Sequence, residues 1–228
     1  MREYFGAAWA IFLKDAREEW RSREGLAAMV IFALLVLTLF SFAFGPGEEG
    51  AGSPALSPGV LWLAILFAAV LGLNRSLAAE RESEGLQAMR LAPIERSAIF
   101  LGKMLSNLFF LLLLELVAFP IFGALYRAPL AEVAFPLALV TLAGTVGVSA
   151  AGTLIATMAS ASRAREVLLP VLLFPILVPV LIAAVKATGG LLRGQGLGAV
   201  SDWLRLLVVF DVVFVIASLL VFEYLIEE

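Results

Sequence analysis

The chain has 228 residues, 62% of them hydrophobic and 15% charged, with a net charge of −3. Water-soluble domains use roughly 45–50% apolar and about 25% charged residues, and a globule of this size has too little interior to hide the excess, so the composition calls for lipid as solvent. With no histidine and no cysteine, Ser-His and Cys-His catalysis, disulfides and the usual His/Cys metal sites are excluded, and no basic patch with interleaved aromatics points to nucleic acid.

In chain order, residues 1–24 predict an amphipathic helix. Phe5, Trp9, Phe12, Leu13, Ala16 and Trp20 share one face, and Arg2, Lys14, Asp15, Arg17, Glu18, Arg21 and Arg23 occupy the rest. Aromatic residues on one side and arginine on the other place such a helix in the bilayer interface. Packing on a partner protein is the alternative. A crossing of a ~30 Å hydrocarbon core takes about 20 apolar residues, and six such runs follow in residues 25–228: Leu26–Phe44, Val60–Leu77, Ile99–Tyr126, Val133–Ser160, Val167–Ala187 and Trp203–Ile226. The third and fourth exceed a crossing, which predicts tilt or an interfacial start. The expected fold class is therefore an all-α membrane protein, six transmembrane helices behind an N-terminal amphipathic interfacial helix.

Twelve of the 16 Lys and Arg residues lie in the N-terminal helix, the second-to-third connection and the fourth-to-fifth turn. Arg127, Lys186, Arg193 and Arg205 lie on the other side. The excess of positive charge marks the cytoplasmic side, which puts both termini in the cytoplasm and the Gly/Pro/Glu loop Gly45–Pro58 outside.

The connection 78–98 is too polar to enter the bilayer. A short helix there presents Leu86, Met89 and Leu91 among Glu82, Glu84, Arg90 and Arg96, and Pro93 ends it, because proline disfavours helical geometry at the preceding residue. Apolar residues that fill a groove and charges that fix register make a docking element; an ordinary solvated loop helix remains the alternative. Glu115 and Asp211 sit inside apolar spans, where a carboxylate costs several kcal/mol unless it faces protein or water. By helical rise Glu115 lies ~17 Å and Asp211 ~12 Å from the outer ends of their spans, depths that would suit one outward-facing cavity; interhelical hydrogen bonding without transport relevance is the alternative. Gly144, Gly152, Ala156 and Ser160 are spaced by four or eight residues in the fourth span, which favours close packing of helices in lipid. Pro120, Pro170, Pro175 and Pro179 permit kinks. Gly102-Lys103 is followed by Met104 and lacks the upstream glycine of a nucleotide-binding GxxxxGK[ST] loop. No catalytic, metal or cofactor-binding set is expected in this chain.

The runs Ser57-Pro-Gly-Val-Leu-Trp62, Leu73-Asn-Arg75, Glu84-Gly-Leu-Gln87, Leu91-Ala-Pro93 and Leu101-Gly-Lys103, with the proline-bearing Val167–Ile182 segment, resemble the CcmB family, the haem exporter protein B of cytochrome c maturation. The resemblance implies a bacterial inner-membrane, permease-like subunit of an ABC-type complex, with ATP handled by a CcmA-like ATPase. It further implies CcmC-like and CcmD-like membrane partners and a CcmE-like haem chaperone, with haem as candidate substrate. Loop 78–98 then corresponds to the ATPase-coupling region, and Arg81, Glu82, Glu84, Gly85, Leu86, Met89, Arg90 and Pro93 become the expected coupling residues. One departure is Gln87, where a glutamate is expected after the leucine. With no histidine or cysteine to ligate iron, the preferred role is mechanical: nucleotide binding in the partner moves the bundle and releases the haem-loaded chaperone. An ABC-2-type permease for another hydrophobic substrate and a non-coupling scaffold are the rival readings.

Overall fold

Hydropathy dictates where the chain crosses lipid, and packing decides the order in which the crossings assemble. The computed structural model describes residues 2–44, 56–82, 95–160 and 165–225. Its elements are α1 (Arg2–Ser22), α2 (Glu24–Phe44), α3 (Ser57–Glu82), α4 (Arg96–Tyr126), α5 (Ala134–Ser160), α6 (Arg165–Leu192) and α7 (Leu197–Leu225). There is no strand among the described residues. Six helices, α2 to α7, are long and apolar enough to cross a membrane, in agreement with the six expected spans.

α3 and α5 form the centre, buried over most of their spans, whereas α2 and α7 are buried over little of theirs. The reason lies in the small residues of α5. Gly144 lies against the ring of Trp62, and a Cβ at Gly152 would meet Leu73 at 2.7 Å, both from α3. On another side of α5, a Cβ at Gly147 would meet Asp211 of α7 at 2.8 Å. The glycines thus serve packing within the bundle, as small residues do where no hydrophobic force drives helices together in lipid. Trp62 is fully buried, and its Nε1–H donates to Thr188 Oγ1 of α6 at 3.0 Å, so one side chain joins α3, α5 and α6.

The span ends around the α6–α7 turn differ clearly from the sequence expectation. α6 continues past Ala187 through Gly189 and Gly190 to Leu192. Gly190 admits its neighbours, since a Cβ there would meet Val200 at 2.7 Å and Gln195 at 2.8 Å. The chain reverses at Gly194, φ 77°, and α7 starts at Leu197 rather than Trp203. Pro120, Pro170, Pro175 and Pro179 all lie within helices that are not broken there. Tyr126 at the end of α4 donates its hydroxyl to Leu37 O of α2 at 2.8 Å.

The residues that α1 buries lie beside the predicted apolar face rather than on it. Ala8 and Ile11 are the buried residues, packed on α4, and Phe12 meets Phe109 edge-on. Phe5, Trp9 and Trp20 stay mostly exposed. The helix approaches α4 through small and aliphatic residues, and its largest rings are left on the outer side.

Candidate functional site

At the end of the bundle that carries α1, charge is concentrated and paired. Gly102 of α4 lets α1 come close: a Cβ there would meet Ala8 O at 2.8 Å and Ile11 Cβ at 2.8 Å. One residue further, Lys103 Nζ lies 2.8 Å from Asp15 Oδ2 of α1, with the side chains 10% and 12% exposed. Lys14 adds a contact to Asp15 at 3.1 Å from the solvent side.

α1 ends at Arg23, which adopts a left-handed φ of 57° and donates its N–H to Glu19 O at 2.6 Å. The turn brings the Glu19 side chain back over the start of α2, where Leu26 N–H donates to Oε1 at 2.6 Å. A carboxylate at this position satisfies an otherwise orphaned backbone donor and complements the helix dipole. Gly25 makes room for it, since a Cβ would meet Glu19 Oε2 at 2.7 Å. Glu24 then pairs with Arg75 of α3. Through Asp15–Lys103, Glu19–Leu26 and Glu24–Arg75, the first four helices are joined in one chain of polar contacts.

These contacts surround a cavity of about 280 Å³. Asp15, Glu18, Glu19, Glu24, Arg75 and Lys103 line its charged part, and Met29, Leu73, Phe110 and Leu111 line its apolar part. No group of three or more carboxylates spaced to hold a metal ion occurs among the described residues.

Two of the eight expected coupling residues fall within the described helices. Arg81 and Glu82 are the last residues of α3; Glu84, Gly85, Leu86, Met89, Arg90 and Pro93 lie outside the described residues. α3, which carries Arg75, ends at Glu82, and α4, which carries Lys103, begins at Arg96, so both helices that flank this segment carry a cation paired to α1 or α2.

Glu115 and Asp211 are not brought together. Glu115 is buried, and Thr145 Oγ1 of α5 lies 2.5 Å from its Oε1. Asp211 lies against Gly147, two positions further along α5 and therefore about 160° around it. The two carboxylates therefore meet α5 on different sides: its glycine admits α7 on one, and its hydroxyls face α4 on the other. Asp15, Glu19, Gly102 and Lys103 were legible as charged or small residues, yet nothing in the sequence paired them. The available signal was a lone lysine inside an apolar stretch, which requires a counter-charge.

The sequence profile described as CcmB protein matches residues 6–224, from α1 into α7. The chain belongs to the CcmB family. It is 32% identical over 173 residues to the heme exporter protein B of Rhodobacter capsulatus, covering 76% of this chain and 78% of that protein. It is 31% identical over 179 residues to the heme exporter protein B of Paracoccus denitrificans, covering 78% and 80%, and 30% identical over 185 residues to that of Bradyrhizobium diazoefficiens, covering 81% and 82%. As a CcmB-family chain with six helices fit to cross a bilayer, it is a multi-pass membrane protein, and the matched region takes in the whole paired end of the bundle.

Proposed function

We propose that the chain is the non-catalytic membrane subunit of a haem-export complex of cytochrome c maturation, driven by a CcmA-like ATPase that docks on loop 78–98. The names of its relatives support the haem-export assignment. The observation that carries coupling is the pairing of both helices that flank the loop: α3 to α2 through Arg75–Glu24, and α4 to α1 through Lys103–Asp15. A displacement of the loop is therefore delivered to four helices at once. Energy enters because nucleotide binds the two states of the partner unequally.

In this reading Arg81, Glu82, Glu84, Gly85, Leu86, Met89, Arg90 and Pro93 form the contact with the ATPase. α1, within residues 1–24, lies at the cytoplasmic interface with Trp9 and Trp20 toward lipid, ahead of the transmembrane domain 25–228. Both termini face the cytoplasm of a bacterial inner membrane, as the distribution of Lys and Arg supports. The chain has no histidine or cysteine to ligate iron, so its contribution is movement, which releases a haem-loaded CcmE-like chaperone held with CcmC-like and CcmD-like partners.

The test is co-purification with the ATPase, comparing the wild type with Leu86→Asp plus Met89→Asp. Loss of the ATPase from the membrane-inserted double variant is the expected result. Retention of the ATPase by that variant refutes the docking assignment, and stimulation of the assembled ATPase by another amphiphile but not by haem or the chaperone refutes the haem reading.

A further inference from the structure

Glu115 is buried within α4. Its Oε2 has no hydrogen-bond partner among the described residues, and neither does Thr141 Oγ1, also buried, one turn from Thr145 on α5. A carboxylate oxygen at this depth is costly unless it meets water or a protein donor, and a buried water is stable where two or more polar groups converge on it.

The residues on one side lead toward the charged cavity. Thr141, Thr145, Ser149 and Thr153 recur every four residues along α5, and all four are buried. They meet α4 through Thr145 Oγ1–Glu115 Oε1 at 2.5 Å, Ser149 Oγ donating to Met104 O at 2.7 Å and Asn107 Nδ2 donating to Thr153 Oγ1 at 2.9 Å. Asn107 is itself a wall of the charged cavity, as is Leu111 one turn further along α4. Glu115 follows one turn after Leu111 on the same face, a rise of ~6 Å. The apolar wall between cavity and carboxylate is thus a single helical turn, flanked by a ladder of hydroxyls.

We infer that the cavity at the α1 end of the bundle and the hydroxyl seam between α4 and α5 are one water-accessible path that ends at Glu115, with Leu111 as its constriction. The terminal water binds between Glu115 Oε2 and Thr141 Oγ1. The path gives the buried carboxylate contact with solvent from one end of the bundle only, on the side of α5 away from Asp211.

The chain has no cysteine, so single thiols can be placed without further change. Ser149→Cys and Thr145→Cys report on the seam; Leu114→Cys, fully buried on α4, reports on an apolar interior position. Each full-length variant, in nanodiscs that expose both membrane faces, is treated with Ag⁺ as a small water-borne thiol probe. Thiols that remain are counted after denaturation. The seam thiols should react about tenfold or more faster than the one at Leu114, a factor equivalent to ~1.4 kcal/mol in access. Adding Leu111→Trp should slow the thiol at position 145 while sparing the one at position 149, which lies nearer the cavity. Equal rates at positions 149 and 114 overturn the inference, as does a rate at position 145 unaffected by Leu111→Trp. Ser149→Cys exchanges one atom and keeps the first comparison decisive if Thr145→Cys fails to insert.

Discussion

Replacing Lys103 with Met leaves Asp15 in a contact only 12% open to solvent, and the consequence can be worked from the geometry. Breaking a buried ion pair by removing one partner costs about 3–5 kcal/mol. Lys14 remains 3.1 Å from Asp15, but it is 45% exposed, and an exposed pair returns only about 0–1 kcal/mol. The expected loss for Lys103→Met is therefore ~2–5 kcal/mol. Removing both charges in Asp15→Leu plus Lys103→Met should restore most of that loss, because apolar replacement of a buried pair is often close to neutral. The assay is reversible unfolding of the reconstituted protein by titration with sodium dodecyl sulfate, followed by tryptophan emission; Trp9 and Trp20 lie on α1 and report its release from α4. A single variant within ~0.5 kcal/mol of wild type, or single losses that simply add in the double variant, would refute a closed, desolvated Asp15–Lys103 contact.

Two further outcomes follow from the same packing. Gly102→Val places a side chain where the backbone of α1 already lies, and should cost about 1–3 kcal/mol as overpacking, read in the same titration; unchanged stability would mean that the two helices are not in close contact. Glu115→Leu and Asp211→Leu should combine additively to within ~0.5 kcal/mol, because the two carboxylates meet α5 on different sides, and a coupling energy clearly above that would place them in one site.

Much of this architecture was legible in advance. Residues 26–44 carry no charge at all, and such a run spans lipid whatever surrounds it, because every backbone group is satisfied within the helix. The same argument located all six crossings, and the small residues of α5 announced a crowded helix. Less was legible at the ends: the fifth run was read to Ala187, whereas α6 continues through Gly189 and Gly190 to Leu192, and Gly190 admits Val200 and Gln195. α1 was recognisable as amphipathic, yet the side it turns to α4 is the one with Ala8 and Ile11, not the one richest in rings.

The division has a physical origin. Hydrophobic length and helical periodicity are properties of consecutive residues, so the sequence alone determined the number of spans, their approximate limits and the amphipathic character of α1. Which surfaces meet is set by shape and charge between residues distant along the chain. Only the tertiary structure could decide that Gly102 admits α1, that Lys103 meets Asp15, and that Glu115 and Asp211 meet α5 on different sides.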